Sequence, residues 1–134
     1  MVNINGEKSH DVIDEALTVL ENLSHRGASG ADENTGDGAG ILVQIPHDFF
    51  RRECEVIGFE LPDQGDYGVG MIFAHRYDDF RKVQISTFER IVEEEGQKVL
   101  GWREVPVDKT TIGQAALASI PRLIQVFIEK NPNI

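Results

Sequence analysis

The sequence predicts a mixed fold of the α+β class, and three observations lead there. Two stretches carry apolar residues at helical spacing, each long enough for several turns. Several shorter runs, rich in β-branched and aromatic residues, are bounded by glycine, proline or asparagine. The two kinds intermingle along a chain of 134 residues, about the size of one ordinary domain, with 40% hydrophobic content for a core.

The elements follow in order. Val2 and Ile4 alternate with Asn3 and Asn5 before Gly6, which reads as the tail of a strand entering a turn. Ser9 is a good helix N-cap, and Asp11 suits the positive end of the helix dipole. Val12, Ala16, Leu20 and Leu23, widened by Ile13 and Leu17, predict an amphipathic helix through about His25. Gly27 then serves as its C′ residue. After a glycine-rich loop, "ILVQI" (41–45) reads as a buried strand stopped by Pro46, and 47–57 as a short helix. Residues 59–66 read as a loop. "YGVGMIFA" (67–74) reads as a strand whose Gly68 and Gly70 share one side and imply close approach by another backbone. Phe80, Val83, Ile85, Phe88, Ile91 and Val92 form the apolar face of a helix over about 79–95, capped by Asp78 or Asp79 and ended by Gly96. Residues 98–107 read as a strand and 110–120 as a short helical turn or loop. "RLIQVFIEK" (122–130) is apolar on both sides, which predicts a strand covered on both faces. Both ends of this pattern look cut, and no linker divides the chain.

Charge narrows the function classes. There are 23 acidic residues against 13 basic ones, a net charge of −10, and no clustered Lys and Arg to hold nucleic acid or an anionic membrane surface. No apolar run is long enough to span a bilayer, and the N-terminal residues carry no signal-peptide pattern. A cytoplasmic location is the expectation. Cys54 is the one cysteine, so there is no internal disulfide. The histidines at 10, 25, 47 and 75 are scattered, and no metal site is expected.

The most informative stretch is "SHRGASGADENTGDGAGIL" (24–42), punctuated by glycine at 27, 30, 36, 38 and 40. Calcium does not fit. An EF-hand register from Asp32 places Gly36 and Asp37 at positions 5 and 6, and a register from Glu33 places Gln44 at position 12. A phosphate cradle would need a Lys-Ser/Thr pair or a helix directly after the glycines. Two readings stay open on the residues alone: a tight connection in which Asp and Asn bond their own backbone, or a loop that shapes a site.

The run "HRGASGADENTGDGAGILVQIPHDFF" resembles the N-terminal amidotransferase domain of the glutamate synthase large subunit. "GEKSHDVIDEALTVLENLSHRGA", "YGVGMIFA", "GWREVPVD" and "PRLIQVFIEK" resemble its other segments in order, so the resemblance covers essentially the whole chain. It implies a class II glutamine amidotransferase of the N-terminal-nucleophile hydrolase type, a four-layer αββα sandwich, present here incompletely. It implies hydrolysis of glutamine to glutamate and ammonia, with the ammonia used to make glutamate from 2-oxoglutarate in nitrogen assimilation. FMN and an iron–sulfur cluster belong to the family's other domains, so no cofactor is expected in this chain.

The family's nucleophile is an N-terminal cysteine whose free α-amine is the base; an amine titrating near 7.7–8.0 can take that proton, and an internal amide cannot. Here the chain starts Met1-Val2-Asn3-Ile4, so no catalytic residue is assigned. Cys54 lies mid-helix in "FFRRECEVIG", outside the nucleophile's motif, and reads as a half-buried small side chain; His47 is two turns away, beyond hydrogen-bond reach. The family's Asn-Gly oxyanion pair and its glutamine-binding Arg and Asp lie further along than this chain reaches. Arg26 and Gly27, of the "HRG" turn, carry over as positioning groups beside the nucleophile, the alternative for Arg26 being a solvated charge at a helix end. Asp32, Asn34, Asp37 and Gly38 carry over as supports of the loop's shape.

The expectation is therefore a partial domain, residues 1–134, inactive alone, with a glutamine site only when missing segments complete it. The alternatives are a non-catalytic interaction module or one half of a split amidotransferase. Expected partners are synthase domains or subunits, or a second copy joined through an exposed strand edge.

Overall fold

A computed structural model describes residues 4–23, 27–28, 32, 34–36 and 38–133. The expected strand at the N-terminus lies partly outside them; Ile4 and Asn5 form a turn, followed by Gly6 at φ +73°. The chain gathers into two units, residues 1–44 with 109–119, and residues 45–108 with 120–134.

In the first unit, α1 spans Asp11–Asn22. Ser9 Oγ accepts the N–H of Asp11 at 3.1 Å, so the expected cap residue satisfies a donor of the first turn, although His10 holds the cap position itself. The helix stops short of the expected His25. The Leu23 N–H is shared between the carbonyls of Val19 and Leu20, a tightening that closes the last turn. No residue of α1 is buried, and Leu17, Val19 and Leu23 are exposed. The same unit holds α4, residues Gln114–Ser119, where the sequence predicts a short helical turn.

In the second unit, α2 (His47–Ile57), β1 (Tyr67–Ala74), α3 (Asp78–Glu94), β2 (Lys98–Glu104) and β3 (Arg122–Glu129) form a small α+β arrangement. The sheet is antiparallel in the order β1-β3-β2. The strand with apolar residues on both sides is the central one, and Ile124, Gln125, Val126 and Phe127 are buried. On one face Phe50 of α2 meets Phe127 edge-to-face, with centroids 5.2 Å apart. On the other face Phe88 of α3 meets Trp102 at 5.5 Å, and Trp102 Nε1 donates to Glu89 at 2.8 Å. Gly96 ends α3 at φ +72°, with its N–H on Glu93 and that of Gln97 on Val92, as a left-handed C′ residue does.

Three expectations are corrected. "ILVQI" (41–45) is not a buried strand: residues 38–46 carry no regular structure, and Ile41, Leu42, Val43 and Ile45 are exposed. Apolar β-branched residues favour a strand only where another strand takes their backbone groups, and among the described residues none pairs there. The strand predicted over 98–107 ends at Glu104, just before Pro106, which has no N–H for a ladder. Gly70 does meet a close neighbour, but it is a side chain: a Cβ there would lie 2.9 Å from Val126 Cγ1, while at Gly68 it would meet nothing. The sheet described is single, so the family's stacked pair of sheets is not seen in it.

Candidate functional site

The glycine-rich loop is the place to look for a site, and its anchor is Asp32. The Asp32 carbonyl accepts the Thr35 N–H at 3.2 Å, closing a turn. Its carboxylate reaches much further. Oδ2 accepts the backbone N–H of Ala115 at 3.1 Å, from 83 residues along the chain. Ala115 stands second in α4, where a helix has a free N–H and a capping oxygen belongs. The residue before α4 is Gly113, which offers no side-chain oxygen at the cap position, so the cap is supplied from the loop. A second bond runs beside it: the Gly113 N–H donates to the Asn34 carbonyl at 3.0 Å.

These bonds set the charge on Asp32. The nearby Thr35 hydroxyl, and then the Ala115 N–H, hold its carboxyl below the usual carboxylate value of 3.8. Asp32 Oδ1 and Thr35 Oγ1 are themselves shielded from solvent and make no hydrogen bond of ordinary geometry. The group facing both is the α-carbon of Gly113.

The residues expected to support the loop divide accordingly. Asp32 and Asn34 are brought together, one through its carboxylate and the other through its carbonyl. Gly38 is exposed, and a side chain there would meet nothing. Gly27 is exposed in a bend. Arg26 and Asp37 lie outside the described residues, as does His25. Gly113, Thr35 and Ala115 are the participants that sequence reasoning missed. The only local signal was a lone glycine before a short helix, and a partner 83 residues away leaves no spacing to read.

Cys54 is fully buried rather than half-buried, in a cluster with Phe50, Tyr67 and Phe127. Burial is the main cause that pushes its thiol up to about 11; the Arg103 charge opposes this and Glu53 adds to it. The thiolate that could act as nucleophile is therefore scarce at neutral pH. His47 Nδ1 lies 3.0 Å from the Tyr67 hydroxyl. Near Cys54, the buried Arg103 is held by Glu53 at 2.6 Å and Gln125 at 3.0 Å, with its guanidinium 5.3 Å from the Phe49 ring. Among the described residues, no three His, Cys, Asp or Glu side chains gather as a metal site would need, and no helix is long and apolar enough to cross a membrane.

The whole chain, residues 1–134, matches the family model described as glutamine amidotransferases class-II. It is 48% identical over 126 residues to the glutamate synthase [NADPH] large chain of Bacillus subtilis, covering 94% of this chain and 8% of that protein. It is 37% identical over 123 residues to a glutamate synthase [NADH] of Schizosaccharomyces pombe, covering 92% and 6%. A third relative, the ferredoxin-dependent glutamate synthase 1 of Arabidopsis thaliana, is 40% identical over 129 residues, covering 96% and 8%. The chain thus spans less than a tenth of the length of each of these relatives.

Proposed function

The chain belongs to the class II glutamine amidotransferase family, and on that premise we propose that it forms part of a glutaminase site in a glutamate-synthase-type enzyme. The reaction is hydrolysis of the glutamine side-chain amide, with the ammonia going to glutamate synthesis. The observation that carries this is the match of the whole chain to one family, including the glycine-rich stretch that Asp32 ties down.

In this reading the 134 residues supply the wall of the site and not its nucleophile. The one thiol they contain is enclosed in an apolar cluster and held protonated. Arg26 and Gly27 would flank a cysteine brought by another segment, and the loop over Asp32, Asn34, Asp37 and Gly38 would keep them in place. FMN and an iron–sulfur cluster, in this reading, reside in other parts of the synthase, and those parts are the partners.

The test is glutamate release from glutamine by the purified chain, alone and joined both to a segment beginning with a free N-terminal cysteine and to one carrying the family's oxyanion Asn-Gly pair and glutamine-binding Arg and Asp. The expected result is no activity alone, and activity on joining. Release by the chain alone, abolished by Cys54→Ser, would overturn the assignment.

A further inference from the structure

We propose that Gly113 is a positioning residue for the glycine-rich loop: only a residue without a side chain lets the Asp32–Thr35 turn seat on the start of α4. The inference rests on the reading above solely in treating that loop as the wall of a glutamine site; the contact itself stands on geometry.

Gly113 is buried, and its φ is not in the left-handed region, so the demand for glycine is one of space. A Cβ at this position would overlap Asp32 Oδ1 and Thr35 Oγ1 and would stand 2.7 Å from the carbonyl carbon of Asn34. The two side-chain oxygens could swing away at the loss of their place in the turn. The Asn34 carbon is backbone and can move only with the loop. Two hydrogen bonds join the same two segments, Gly113 N–H to Asn34 O at 3.0 Å and Ala115 N–H to Asp32 Oδ2 at 3.1 Å. The Gly113 carbonyl in turn accepts the Leu117 N–H at 2.9 Å, so the helix grows directly from the contact. All of this lies within the first unit. Residues 109–119 are thereby a scaffold for the loop and not a mere connection, and a methyl group at Gly113 would act on Asp32, Asn34 and Thr35 from a distant part of the sequence.

Two readouts separate the contact from its use. The first is hydrogen exchange of the Ala115 and Thr35 amides in this 134-residue chain. The second is steady-state hydrolysis of glutamine by the full-length synthase polypeptide carrying these residues. Gly113→Ala should speed exchange at both amides about tenfold and raise KM for glutamine about 10- to 100-fold. A substitution that merely lowers the amount of folded enzyme reduces kcat and leaves KM unchanged, so an unchanged KM overturns the positioning role. Asp32→Asn is nearly isosteric and covers the case in which Gly113→Ala does not fold; it should move the same amides and the same KM. The double variant should do little more than the larger single change, because both act through one contact. Unchanged exchange in Gly113→Ala would overturn the contact. If the unaltered polypeptide fails to hydrolyse glutamine, the proposed function falls, and the exchange data still decide the contact.

Discussion

The carboxylate of Asp32 caps α4 by accepting the Ala115 N–H at 3.1 Å, although the two residues are 83 positions apart. The bond favours the ionised carboxyl, whose pKa is lowered. A group with a depressed folded pKa contributes fully above its unfolded value and loses that contribution as pH falls through the folded one. The Ala115 amide shift should therefore be flat at neutral pH and move only in the acid range, below the usual value of 3.8. Asp32→Asn should abolish the step. An acid transition at Ala115 that survives in Asp32→Asn would remove Asp32 as its cause.

Cys54 should be inert in the folded chain. Its thiol is fully buried and pushed up to about 11, so alkylation at neutral pH should proceed only through unfolding. The rate of modification by iodoacetamide should rise with denaturant in step with unfolding measured by circular dichroism. Rapid modification in buffer alone would contradict the packing described.

Phe127 of β3 packs against Phe50 of α2 and touches Phe59 and Tyr67. Phe127→Ala should cost about 3–5 kcal/mol, the range for truncating a buried aromatic. Phe73, 70% exposed on β1, should tolerate the same change within about 0.5 kcal/mol. Urea denaturation of the two variants gives the comparison.

Gly101 packs against the ring of Phe59, and a Cβ there would lie 2.5 Å from that ring. Gly101→Ala should destabilise by about 1–3 kcal/mol, the cost of overpacking a filled space. Phe59→Leu in the same background should recover part of the loss by freeing the ring's place. No recovery would locate the strain elsewhere.

In the sheet described, β1 and β2 are both edge strands, and Met71 and Phe73 of β1 are exposed. Such an edge invites strand addition. The purified chain should run larger than 15.0 kDa by light scattering at high concentration, and Phe73→Lys should shift it towards the monomer. A chain that stays monomeric throughout would favour a self-sufficient interaction module.

Much of the second unit was legible because its signals are local. The alternation over 122–129 marked β3 as doubly covered, and α2, β1 and α3 fall within a residue of their expected spans. Where local signals need a remote partner, legibility failed. Ile41, Leu42 and Val43 have strand character, yet strand character takes form only when a neighbouring strand accepts its hydrogen bonds.

The sequence by itself determined the family and the helical and strand periodicities. Only the tertiary structure decided that Asp32 caps a distant helix, that Gly113 is glycine for want of space, and that Cys54 is fully enclosed. The physical reason is range. Periodicity and capping preferences act over a few residues and leave a pattern in the chain, whereas excluded volume and burial depend on groups that folding alone brings together.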